Sequence, residues 1–249
     1  MLQLQGFESH EGYISGLCSV TAERSLSADI RLMAAISLKN VVGRCWGNKR
    51  GEQQVRVATD SEKCELRAFV IRNLDEADKK VSRQLSALAS KIARADWPEQ
   101  WPELLPTLFR AAACGVHTPN TSVRALHVLN EVLDELRTKQ LPGPRKALAA
   151  ASLAAFPDFL ALWSGRCDSA ARRISELATV LQFEKTCSYS WTEMAETKTL
   201  LVQFAECTVV IHKLLERSFA ELARTDFALV RSFFSLLAQQ MGQLAAVLR

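Results

Sequence analysis

Cys207 and His212 lie five residues apart, and a thiol beside an imidazole is the raw material of a nucleophile and its base. On a helix, five residues is about 140° round the wheel, so the two side chains leave on different faces and do not form a dyad. The remaining histidines, His10, His117 and His127, stand far apart in sequence. Glu131 with Asp134 and Glu135, and Glu193 with Glu196, are spaced as solvated helix faces rather than as metal ligands or an acid/base pair. No P-loop, GxSxG or HExxH is present. No catalytic residue, cofactor-binding residue or metal ligand is assigned, and the chain is expected not to be an enzyme.

The seven cysteines are Cys18, Cys45, Cys64, Cys114, Cys167, Cys187 and Cys207. Their number is odd, there is no CxxC, and most sit inside apolar helical patterns, as expected of free structural thiols in a reducing compartment. The 31 basic against 27 acidic residues leave a net charge of +4, too mild an excess to call for nucleic acid. The basic residues are scattered: Lys49 and Arg50, Lys79 with Lys80 and Arg83, and Arg172 with Arg173. None alternates with aromatics as a single-strand binder requires, so no direct nucleic-acid contact is expected. No run approaches the roughly 18 apolar residues of a membrane span, and the start, MLQLQGFESHEGY, lacks a basic region followed by an apolar core. The reading is an intracellular, soluble chain without membrane insertion.

The elements that must carry these residues are helices. Gly and Pro number only 10 and 7 in 249 residues, few for a sheet-rich domain of this size. Apolar residues recur with the helical period in several places: Ile30, Ala34, Leu38, Val41, Cys45; Val81, Leu85, Leu88, Ile92; Leu200, Phe204, Cys207, Ile211, Leu214; and Val230, Phe234, Leu237, Met241. No stretch alternates with period two. Turns are expected at Gly43 to Asp60, Asn73 to Asp78, Ala95 to Pro98, Gly115 to Asn120 and Gln140 to Pro144. Weaker ones fall at Gly165 to Asp168, Ser188 to Thr192 and Arg224 to Asp226. Thr59 and Glu62 form a T-x-x-E capping box, and Asp75 is a candidate N-cap. Helices of about 12 to 22 residues in pairs every ~40 to 50 residues predict an all-α, HEAT-repeat solenoid, a right-handed superhelix of antiparallel helix pairs without a sheet.

Two segments narrow this further. IRLMAAISLKNVVGRCW contributes Arg31, Ala34, Leu38, Lys39, Asn40 and Trp46; ARADWPEQWPELLPTL contributes Asp96, Trp97, Pro98, Trp101, Pro102 and Leu104. Together they resemble the amino-terminal region of the importin-β (karyopherin) superfamily: an Arg-x-x-Ala-x-x-x-Leu-Lys-Asn helix ending near a Trp, then an Asp-aromatic-Pro-x-x-Trp-Pro-x-Leu turn into a helix. The aromatic after Asp is more often Phe or Tyr. The spacing continues into Arg145, Lys146 and Trp163, although beyond about residue 115 the resemblance is diffuse. Physically, Lys39 and Asn40 are expected to meet orphan carbonyls at a helix end, Asp96 to cap the helix after it, and Trp101 to fill a gap between repeats. Pro98 and Pro102 are expected early in that helix, and Pro106 to kink its start.

The resemblance implies a nuclear transport receptor with outer A and inner B helices. It implies that the inner surface of the first repeats binds the GTP form of the small GTPase Ran, with protein cargo and nuclear pore proteins as further partners. The implied location is cytoplasm and nucleus, with shuttling through the nuclear envelope. Residues 1–75 read as importin-β N-terminal-type repeats and 76–249 as continuing HEAT-like repeats. The chain is expected to be a piece of a longer receptor, since its last stretch still reads as helix. B helices are placed at Ser61 to Leu74 and Trp101 to Cys114. On them Glu65, Arg67, Ile71, Arg72, Glu103, Thr107 and Arg110 are expected to face the open side, opposite Leu66, Phe69, Val70 and Asn73 and opposite Leu105, Leu108, Phe109 and Ala112. An exportin, or a HEAT scaffold that does not bind Ran, are the alternatives.

Overall fold

A computed structural model describes residues 10, 12–46, 56–113, 119–139, 141–183, 191–225 and 227–247. Among the described residues every regular element is a helix. The chain divides into two compact units: residues 1–108 with 127–144, and residues 109–126 with 145–249. The first unit holds α1 (Tyr13–Ala22), α2 (Ala28–Cys45), α3 (Asp60–Arg72) and α4 (Lys79–Asp96). The boundaries fall inside α5 (Leu104–Ala113) and α6 (Pro119–Arg137). The second unit holds α8 (Trp191–Thr225), α9 (Phe227–Val247) and nearly all of α7 (Pro142–Phe183).

Local chemistry starts the helices of the first unit. The Ser27 hydroxyl accepts the Ile30 N–H at the head of α2. At α3 the expected capping box forms: Thr59 accepts the Glu62 N–H, and the Glu62 carboxylate accepts the Thr59 N–H at 3.0 Å. Arg56 clamps the same carboxylate with two bonds of 2.7 and 2.6 Å. At α4 the cap is Asp78, not Asp75. The Asp78 carboxylate accepts the N–H groups of Lys80 and Val81 at 2.8 and 2.9 Å, while Asp75 lies three residues too early and pairs on the surface with Arg24.

The apolar stripes then pack like with like. α1 packs on α3 and α2 on α4, while α1 also contacts α2 and α3 contacts α4. Two layers result: α1 with α3, and α2 with α4. The polar ties within each layer join residues 45 to 51 apart in sequence, as Arg24 to Asp75 and Lys39 to Gln84 show, so neighbouring helices of a layer run parallel. The interior is made by Ile14 and Cys18 of α1, Leu38, Val41 and Cys45 of α2, Leu66, Phe69 and Val70 of α3, and Val81, Leu85, Leu88 and Ile92 of α4. Each fully buried aliphatic side chain contributes about 1.5 to 3 kcal/mol relative to leaving it in water.

The second unit departs from the expected helix lengths. α7 spans 42 residues and α8 spans 35, and α7 runs unbroken through Gly165 to Asp168, where a turn is expected from sequence. A lone glycine costs a helix only about 1 kcal/mol, and packing outweighs it. Pro157 is also accommodated inside α7, exposed at the surface. Phe159 meets Phe109 edge-on, and Phe156 and Trp163 both contact Phe233 of α9. Trp163 also stacks on Phe204. Polar bonds join α7 to α8: Trp163 Nε1 donates to Thr208 at 3.0 Å, Arg166 to Gln203, and Arg173 Nε to Thr197 at 3.2 Å. The partner number falls as the α7 number rises, so these two helices run antiparallel.

One expectation about membranes needs correcting. Pro142–Glu176 contains an 18-residue window of mean hydropathy 1.4, long and apolar enough by length and composition to cross a membrane. It is alanine-rich, and within it Phe156, Phe159 and Trp163 are buried against aromatic neighbours.

Candidate partner-binding surface

The residues of the two sequence segments meet in three dimensions, though not in the roles their positions suggested. Arg31 is buried. Its Nε donates to the Thr21 carbonyl at 2.9 Å, and its guanidinium pairs with the buried carboxylate of Glu76. It thus satisfies a carbonyl left open at the end of α1 and ties α1, α2 and the approach to α4 together. Lys39 does not serve the α2 terminus, because α2 continues to Cys45; its amine reaches Gln84 of α4 at 2.6 Å. Asn40 is exposed. Trp46 ends α2 as expected, buried, with Lys63 5.9 Å from its ring.

Asp96 joins both segments. It is the last residue of α4, so the expected turn begins one residue later. Its carboxylate accepts the Trp46 indole N–H at 2.8 Å through Oδ1 and the Arg67 Nε at 2.8 Å through Oδ2. The side chain therefore caps nothing downstream; the backbone carbonyl of Asp96 accepts the N–H of Gln100 and of Trp101 instead. Pro98 and Pro102 lie before α5, while Pro106 is its third residue, in the turn where an N–H has no intrahelical partner. Trp101 is 2% exposed, among the most deeply buried large side chains described. Lys139, beyond the end of α6, donates its amine to the Trp97 carbonyl at 2.5 Å, and burial lowers its pKa.

The seven residues expected on an open face divide among different surroundings. Glu65 is half-buried and accepts the Ser15 hydroxyl of α1. Arg67 is half-buried in the pair with Asp96, at 2.6 Å through Nη2. Ile71 is half-buried and Arg72 exposed. On α5, Glu103, just before the helix, is exposed, Thr107 is half-buried, and Arg110 is exposed and belongs to the second unit. The residues expected to pack, Leu66, Phe69, Val70, Leu105, Leu108 and Ala112, are all buried. Asn73 and Phe109 are half-buried. Cys114, the expected end of the second B helix, lies outside the described residues.

Beside Arg72, the side chains that α3 presents most openly are Ser61, Cys64 and Ala68, which sequence reasoning did not select. The signal was available: they recur three, four and four residues apart, opposite Leu66, Phe69 and Val70. Glu65 and Arg72 both act electrostatically on Cys18 of α1, but burial is the main cause that pushes this thiol up to about 12. Burial likewise pushes Cys207 up to about 12. Neither is a nucleophile at neutral pH. His212 is exposed, and no group of three His, Cys, Asp or Glu side chains that could hold a metal occurs among the described residues. The arrangement is a layered helical frame whose α3 turns Cys64, Ala68 and Arg72 outward.

Residues 1–76 match the family described as the importin-beta N-terminal domain. Importin-11 of Homo sapiens is 29% identical over 191 residues, covering 74% of this chain and 19% of its own length. Exportin-2 of Pagrus major is 28% identical over 127 residues, covering 51% of this chain and 13% of its own. The solved structure of Lph2, a bidirectional nuclear transport receptor in S. cerevisiae, superposes with a TM-score of 0.69 at 18% identity, over 98% of this chain and 24% of that one. This last likeness shows the fold, a HEAT-repeat arrangement of helix pairs. The chain spans about a fifth of the length of the importin-11 it matches. These proteins are transport receptors and not enzymes, in line with the missing catalytic constellation. Residues 1–76 thus match the importin-beta N-terminal domain, and the chain is similar to importin-11 over 191 residues.

Proposed function

We propose that the chain is the amino-terminal part of an importin-type nuclear transport receptor that binds the GTP form of Ran and helps carry protein cargo through the nuclear pore. The observation that carries this reading is the importin-beta N-terminal domain match over the stretch that folds as α1 to α3. The layer formed by α1 and α3 supplies the surface, with Ile71 and Arg72 on α3 as its contacts. Glu65 and Arg67 orient it from either side through Ser15 and Asp96. Glu103 and Thr107 extend the Ran contacts in the first unit, while Arg110 is a proposed contact of the second unit taken by itself. Transport then works by linkage: Ran–GTP and cargo alter each other's affinity on one receptor, and no bond chemistry is involved. The receptor shuttles between cytoplasm and nucleus, meeting nuclear pore proteins at the nuclear envelope.

Import is favoured over export by the longer match to importin-11, 191 residues against 127 for exportin-2. The test is a pull-down of the chain with Ran loaded with a GTP analogue or with GDP. Strong preference for the GTP form supports the reading, and equal or absent capture rejects it in favour of a scaffold without Ran binding.

A further inference from the structure

The outward face of α4 is cationic along its whole length. At 100° per residue, Lys80, Arg83, Ala87, Lys91 and Arg94 fall within an arc of about 80°, and all four charged members are exposed. The stripe from Lys80 to Arg94 is about 21 Å long at the helical rise. The one acidic residue of α4, Asp96, is turned inward and occupied by Trp46 and Arg67. Lys91 lies over α2, its amine 3.4 Å from where a Cβ on Gly43 would stand. The stripe thus comprises two cationic pairs, Lys80 with Arg83 and Lys91 with Arg94, on the layer that α2 and α4 form.

We infer that this face docks an acidic, extended segment of a protein partner. Charge complementarity is the first reason: an exposed helix face bearing only positive charge attracts carboxylates and raises their rate of encounter. The neighbours decide the class of partner. Asp78 lies at one end of the stripe, and at the other Glu135 of α6 holds Arg94 at 2.6 Å, with Glu131 and Asp134 exposed on the same helix. Those carboxylates bound the positive potential at the two ends of the stripe. A nucleic-acid duplex with its broad phosphate surface would overrun this acidic border. The stripe also carries no aromatic side chain on which single-stranded bases could stack. A peptide fits: the pairs are 11 residues apart on the helix, about 16 Å, which an extended chain spans in about five residues.

The experiment is fluorescence anisotropy on the full chain with a labelled peptide carrying two Asp-Glu pairs separated by a short Gly/Ser spacer. Binding is expected at low salt and should weaken as salt rises. Lys80→Glu with Arg83→Glu should weaken it at least tenfold with an unchanged circular dichroism melt, whereas Arg172→Glu, an exposed charge on α7, should leave it unchanged. Absence of binding, equal binding by the charge-reversed protein, or a labelled single-stranded oligonucleotide binding as tightly as the peptide would each overturn the inference. Because Ran is absent from the assay, the result is independent of the Ran reading.

Discussion

Asp96 accepts the indole N–H of Trp46 at 2.8 Å across 50 residues of sequence. The two residues end α4 and α2, so one bond fixes the ends of both helices of a layer. The other oxygen of the same carboxylate holds Arg67 on α3, which brings the second layer to the same point.

Asp96→Ala removes both acceptors and strands a half-buried guanidinium. Breaking such a pair from one side costs about 3 to 5 kcal/mol when it is fully buried, and the lower end of that range is expected here. Trp46→Phe keeps an aromatic ring but loses the indole N–H and part of the buried ring volume, for about 1 to 3 kcal/mol. Urea unfolding of the two variants checks the order; a Trp46→Phe loss equal to that of Asp96→Ala would place the effect in ring packing rather than in the carboxylate.

Trp101→Ala is expected to cost about 3 to 5 kcal/mol, the range for deleting a buried aromatic. The side chain is 2% exposed in the turn leading to α5. A melting temperature within a degree of the parent protein would contradict this.

How much of this was legible beforehand depended on distance along the chain. The Thr59–Glu62 box was readable because its whole chemistry lies within four residues. The buried stripes of α2, α3 and α4 were readable because one face repeats every turn. The work of Asp96 and Arg31 was not, since their partners lie 10 to 50 residues away and nothing local announces them. From sequence Asp75 reads as the cap and Asp78 only as the end of a turn; the observed start of α4 at Lys79 gives the role to Asp78. Of the candidate surface, Arg72 could be placed by helical phase, whereas Ile71 is half-buried and Arg67 was drawn inward by a carboxylate that phase cannot see.

Acid should act on α3 through Glu62. Its carboxyl is held below the ordinary carboxylate range, first by the Arg56 hydrogen bonds, then by bonds from Thr59, with burial opposing. A folded pKa below the unfolded one adds stability that is present above the unfolded value and is lost as pH falls through the folded value. Arg56→Met raises the folded pKa and removes part of that stability at neutral pH. The gap in melting temperature between parent and variant should therefore be widest near pH 7 and close on acidification below pH 4; a gap independent of pH would mean that Arg56 acts by packing.

Alkylation at pH 8 should separate the described thiols. Cys64 is exposed and should react first, while Cys18, Cys45, Cys167 and Cys207 are buried. Cys18 and Cys207 are held to about 12 mainly by burial and should react only on unfolding. Peptide mass spectrometry over a denaturant series checks the order, and early modification of Cys18 would show that α1 opens locally.

Ile71→Asp should weaken Ran–GTP binding at least tenfold, about 1.4 kcal/mol, if the α1–α3 layer is the Ran surface. Ile71 is half-buried, so the circular dichroism melt of the variant must be read alongside. Unchanged affinity in a folded variant rejects the placement, and loss of the fold assigns Ile71 to packing beneath its neighbours.

The sequence distance between Trp46 and Asp96 also sets a schedule. Synthesis proceeds at about 5 to 20 residues per second, so Trp46 leaves the ribosome about 3 to 10 s before the carboxylate that receives its N–H. Arg31 waits a similar time for Glu76. Until α3 and then α4 follow, the apolar stripes of α1 and α2 have only each other to pack against, and this is when a nascent chain leaves its Leu38 and Val41 faces open.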